Sequence, residues 1–92
     1  MSILSLADLK AHLRVTHDQD DPLLQSLLDS AEDEAARFLN LEALSEPVPA
    51  SVRTAAWLLV GAVYDAASAD EVKGLRQCAE TLLMPHRASM GV

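Results

Sequence analysis

Three histidines, one cysteine and 14 carboxylates are the groups of this 92-residue chain best suited to chemistry. His12 and His17 stand five apart across an expected helix end, whereas two ligands on one helix face need a spacing of four. Solvation rather than metal binding is expected of them. Asp18-Gln19-Asp20-Asp21 opens like a calcium loop with Asp29 at the twelfth place. Pro22 and Leu23 then stand where an oxygen ligand and a glycine are required. These aspartates are expected to cap a helix instead. Asp29, Glu32, Asp33 and Glu34 would act as acids and bases only with perturbed pKa values in a cleft. Their spacing sets most of them on a solvated helix face. Glu34 differs: its helical angle places it beside Leu23 and Leu27, so a base on a neighbouring helix or subunit is its expected partner. Cys78 has no second cysteine, and its place at the edge of an apolar face predicts an inert, packed thiol. The three glycines are scattered, so no phosphate-cradling loop is present. The pattern predicts no enzyme, no metal and no cofactor.

Segments able to position these residues follow from composition. Leucine (16) and alanine (15) dominate the apolar half of the chain and isoleucine occurs once. Leu and Ala favour helix, and β-branched residues favour sheet. The expected fold is all-α, a small four-helix bundle-like domain over residues 1–92, with a core at about 3–87 and a short tail at 88–92. Ser5 and Asp8 form a capping box for the first helix, with Leu4 and Leu9 as a hydrophobic staple. Asp20 or Asp21 caps a second helix from about Pro22 to Asn40. A proline-containing loop, Leu41 to Pro49, follows. The third helix runs from about Ala50 to Ala67, with Val52, Ala56, Leu59, Val63 and Ala66 on one face. Its other side carries Trp57, Leu58, Gly61 and Tyr64, and a helix apolar all round must be buried on both sides. Gly61, costly in a helix interior, suggests close approach of another helix. Asp70 is the expected cap of a fourth helix reaching Met84, which Pro85 ends.

A net charge of −7 disfavours any ordinary grip on nucleic acid or an anionic membrane. The start lacks a signal-peptide pattern, and the longest apolar run, ten residues, is half a membrane span. A soluble intracellular protein is the expectation.

With the segments placed, Leu6-Ala7-Asp8-Leu9-Lys10-Ala11-His12-Leu13-Arg14-Val15 and the acidic turn leading to Pro22-Leu23-Leu24 resemble the opening of the phage head–tail connector (head-completion adaptor) family. Val52 to Tyr64 is similar to that family's apolar third helix, and Leu82-Leu83-Met84-Pro85-His86-Arg87 to its closing signature. Asp65-Ala66 depart from the Asn and Arg that usually follow the tyrosine.

The resemblance implies a non-enzymatic structural adaptor: a ring of about a dozen copies beneath the portal of a tailed phage, prophage or gene-transfer particle. It would extend the DNA channel without binding DNA specifically and dock the next head-completion or tail protein. Its place would be the virion head–tail junction, with the host cytoplasm as the site of assembly. On this reading Trp57, Leu58 and Tyr64 are the expected subunit interface, since aromatic anchors centre such contacts. Pro85, His86 and Arg87 are the expected portal contact. Glu42 and Glu46, or Asp29 and Asp33, are candidates for the channel lining, where carboxylates repel the duplex. A small acidic helical binding or carrier module is the alternative. Asp29-Ser30 resembles the phosphopantetheine site of acyl carrier proteins, although Ser30 falls inside a helix and Ala31 replaces the usual leucine.

Overall fold

A computed structural model describes residues 3–44, 46–65 and 68–86. All regular structure among these residues is helical: α1 (Leu6–Leu13), α2 (Asp21–Phe38), α3 (Ala50–Tyr64), α4 (Ala69–Leu83) and a 3-10 turn (Met84–His86). The array measures 44 × 30 × 17 Å. α3 lies between α2 and α4 and also meets α1. No described helix is long and apolar enough to cross a membrane.

Local sequence explains most helix ends. The Ser5 hydroxyl accepts from the Asp8 amide at 3.3 Å, and both staple leucines, Leu4 and Leu9, are buried. α1 closes with paired bonds from Val15 N to Lys10 O and Arg14 N to Ala11 O. Arg14 adopts a positive φ of 61° at this cap, where glycine is usual. α2 ends the same way: Leu41 N donates to Ala36 O, Asn40 N to Arg37 O, and Asn40 has φ 67°. Asparagine tolerates that conformation better than most residues.

Two expected boundaries change, the cap of α4 and the end of α3. α4 is capped by Ser68, whose hydroxyl accepts from Glu71 N at 3.1 Å, and Asp70 lies inside the first turn. Serine makes the bond because its backbone is extended there, as a cap requires. Asp20 occupies the N-cap position of α2 but makes no capping bond with its side chain. α3 stops at Tyr64, and residues 66 and 67, expected to continue it, lie outside the described residues.

The core joins Leu9 of α1, Leu24, Leu28, Ala31 and Ala35 of α2, Val52, Ala55, Ala56, Leu59 and Val60 of α3, and Ala79 and Leu83 of α4. Small alanines let α2 and α3 approach each other, and leucines fill the space between. Val63 shares its helical angle with this face but is 66 % exposed. Periodicity sets a side chain's direction, not whether a neighbour extends far enough to cover it. Gly61 is not forced by helix packing either. A Cβ built there would meet Leu13 Cδ2 at 3.8 Å, an ordinary contact.

Candidate functional site

Trp57, Gly61 and Tyr64 form one stripe of α3, spaced at four and three residues, and α1 crosses it. His12 of α1 lies against Trp57, with ring centroids 5.0 Å apart and planes at 32°. The Arg53 guanidinium sits 5.5 Å from the centroid of the same indole. Leu13 covers Gly61. The Tyr64 hydroxyl donates to the Asp20 carboxylate at 2.7 Å. Trp57, Leu58 and Tyr64 are all half-buried. The second side of α3 is thus partly occupied within the molecule, by α1 and the acidic turn. Trp57 and Leu58 line a hollow of about 290 Å³ with His12, Leu13 and Leu75; Tyr64 stands outside it. Trp57 also borders a second hollow with Asp8, Ala11 and Arg53. The indole Nε1 of Trp57 and Nε of Arg53 are buried without a hydrogen-bond partner among the described residues.

Asp20 holds the N-cap position of α2 without a side-chain capping bond, and the side chains of the acidic turn are fastened by contacts with α1 and α3. Lys10 Nζ lies 2.7 Å from carboxylate oxygens of both Asp18 and Asp21. The hydrogen bonds to Asp18 and then Asp21 raise the Lys10 pKa above its ordinary value. The same bond from Lys10 lowers that of Asp18. Tyr64 is raised, chiefly by its bond to Asp20 and then by desolvation. No group of three or more described His, Cys, Asp or Glu residues could hold a metal ion.

Asp29, Asp33 and Glu42 come together at a concavity of about 230 Å³, shared with Ile3, Glu32 and Leu44. Two separate candidates for the channel lining, the loop and the outer side of α2, therefore form one acidic surface. Glu46 is exposed on the same loop but does not line the concavity. Gln25 Nε2 donates to Asp29 at 3.0 Å, and Arg37 pairs with Asp33 at 2.7 Å. Glu34 pairs with Arg76 of α4, the expected base on a neighbouring helix.

At the C-terminal end, Pro85 is exposed in the 3-10 turn. His86 is half-buried, its Nε2 2.6 Å from the Ser51 hydroxyl near the start of α3. Arg87 and residues 88–92 lie outside the described residues. Cys78 is exposed, contrary to expectation. The apolar face of α4 is narrower than its sequence suggests, with only Ala79 and Leu83 fully buried. Ser30 is an exposed residue inside α2, away from the helix start that a carrier serine occupies.

Sequence reasoning missed the contacts of Trp57 with His12 and Arg53 and of Tyr64 with Asp20, and three further fastenings. Glu32 accepts from the amides of Ile3 and Leu4, at 3.1 and 3.0 Å. Lys10 clamps the acidic turn, and His86 meets Ser51. Each joins residues distant in sequence or across a turn, and no periodic pattern marks such partners.

The model of a family described as phage gp6-like head-tail connector protein matches residues 3–84. No curated protein and no solved structure compared with the chain gives a match. The family match runs from the residues held by Glu32 through all four helices. On that extent the chain belongs to the phage gp6-like head–tail connector family, as a structural adaptor of the virion's head–tail junction.

Proposed function

We propose that the chain works as one non-enzymatic domain and assembles as a ring of about a dozen copies beneath the portal. There it extends the DNA channel and presents a docking surface to the next head-completion or tail protein. The observation that carries this reading is the family match over residues 3–84.

A closed ring needs a heterologous contact, one patch meeting a different patch on the next copy. Trp57 and Leu58 are the proposed anchor, supported by their half-burial beside two hollows on one side of α3. Tyr64 supports the contact from behind, since its hydroxyl already serves Asp20. The acidic concavity with Asp29, Asp33 and Glu42 is the proposed channel lining, and Glu46 extends it along the loop. Carboxylates there repel phosphates and keep the duplex moving. Pro85, His86 and Arg87 are the proposed portal contact.

Electron microscopy of the chain mixed with portal-bearing heads tests the reading. A ring of density at the portal vertex is expected; heads with bare portals at saturating protein would overturn it. In the same assay Trp57→Ala is expected to reduce attachment more than it lowers the thermal midpoint of the free chain. Equal losses would remove the indole from the interface.

A further inference from the structure

Arg53 and Trp57 stand four apart on α3, so their side chains share one face. The Arg53 guanidinium lies over the indole and makes no ion pair among the described residues, although Asp8 borders the same hollow. Arg53 Nε and Trp57 Nε1 are buried donors without an acceptor, and leaving such donors unpaired is costly. A carboxylate is the acceptor that suits this pair best, because a guanidinium binds it through two parallel N–H bonds.

A second copy of the chain carries the matching groups. Among the described residues, the exposed large apolar side chains are Ile3, Leu23, Leu41, Val63 and Met84. Ile3 lines the acidic concavity, and Leu41 adjoins Glu42, which lines it too. Val63 stands two residues before Asp65, which borders the Trp57 hollow itself, so it belongs to the receiving side. Leu23 follows Asp20 and Asp21, already bonded to Tyr64 and Lys10. Met84 remains. It is 54 % exposed at the end of α4, and Glu80, exposed one turn before it, has no side-chain partner among the described residues. The two line a hollow with Gln77, Thr81 and Pro85 that shares no residue with those at Trp57. Glu80 and Met84 are also four apart. A neighbouring α4 that runs in the direction of α3 therefore sets carboxylate on guanidinium and thioether on indole, both favourable contacts.

We infer that the contact between copies joins Glu80 and Met84 of one chain to Arg53 and Trp57 of the next. The inference rests on the proposed ring and supplies the second half of its heterologous interface.

Cysteine pairing in rings on portal-bearing heads tests it. Every chain carries Cys78→Ser, which leaves one thiol per variant. Chains with Met84→Cys are mixed with chains with Ala11→Cys, at an exposed residue that lines the hollow beside Trp57. Mild oxidation is expected to link the two variants to each other and neither to itself. Full ring density without the mixed disulfide would overturn the inference and leave the ring standing. Heads with bare portals would overturn both. Charge exchange gives a second readout. Glu80→Arg changes an exposed side chain and should weaken attachment at least about tenfold without lowering the thermal midpoint of the free chain. Adding Arg53→Glu to it should restore most of the attachment. Undiminished attachment of the Glu80→Arg chain, or no recovery in a double variant that folds like the parent, would also overturn the inference.

Discussion

The α2–α3–α4 side of the protein buries Leu24, Leu28, Ala35, Val52, Ala55, Ala56 and Val60 almost completely, whereas α1 contributes only Leu9 at that depth. α1 is otherwise fastened by polar contacts: Lys10 to Asp18 and Asp21, and Glu32 to the amides just ahead of the helix. Apolar burial is non-directional and depends little on pH. Polar fastening depends on a few atoms and on their protonation. The two regions should therefore differ in how they open, with α1 released at a lower free energy than the rest. For the proposed ring contact that difference would matter, because α1 crosses the stripe that bears Trp57.

The largest effect is expected on the apolar side. Leu28 is fully buried, and Leu28→Ala should cost about 2–5 kcal/mol from lost burial and the cavity left behind. Urea unfolding measures it. A loss below about 1 kcal/mol would mean that the α2–α3 seam collapses easily, which would blur the contrast with α1.

Glu32→Ala probes the other region. It removes two hydrogen bonds to backbone amides, and about 1–2 kcal/mol is the expected loss. Hydrogen exchange should quicken at Leu4 and through α1 before it quickens in α3. Uniform acceleration across all four helices would show that α1 opens only with the whole molecule.

The apolar side was legible in sequence and the polar fastenings were not. Leu24, Leu28, Ala31 and Ala35 recur at helical spacing, so both the element and its buried face follow from period alone. Asp33 and Arg37 follow from the same geometry, as a pair four apart. Glu34 needed one step more, an acidic residue on an inward helical angle, which implied a base opposite it. Lys10 and Glu32 carry no such mark, since their partners are fixed by the path of the turn and of the N-terminal segment. Of the candidate site residues, Asp29, Asp33 and Glu42 proved to be neighbours, although they arose as alternatives on separate segments. Chain reversal between α2 and the loop brings them together, and spacing along one helix cannot report it.

A smaller effect separates the regions by pH. Lys10 is held charged by Asp18 and Asp21, which raises its pKa. Its stabilisation is complete below the ordinary lysine value and is lost as pH rises through the raised one. Tyr64 is raised by its bond to Asp20, so its contribution also lasts until pH passes above about 10. Asp18 is lowered by Lys10, so its part is present above the ordinary carboxylate value and fades as pH falls through the lowered one. Alkali should thus loosen α1 first, seen as an earlier rise in Trp57 solvent quenching than in global unfolding. Lys10→Met should flatten that alkaline arm. An unchanged profile would remove the clamp from the account of how α1 is held.

The finest test of the contrast uses the two described glycines, both inside helices. A Cβ at Gly74 of α4 meets nothing within 4 Å, and one at Gly61 meets only Leu13 Cδ2, at 3.8 Å. Neither position has a positive φ or another backbone within 4 Å of the added Cβ, so alanine should fit both. Gly74→Ala sets the baseline for replacing glycine in an exposed helix, a gain of about 0.5–1 kcal/mol. Gly61→Ala should match it or exceed it slightly, because its methyl would add contact with Leu13 where α1 meets α3. Thermal unfolding of the two variants side by side gives the difference. Should Gly61→Ala lose stability while Gly74→Ala gains it, α1 must press on α3 more closely than the 3.8 Å contact implies. The junction would then be a tight seam like that of α2 with α3, and α1 would not be the part of the molecule that opens first.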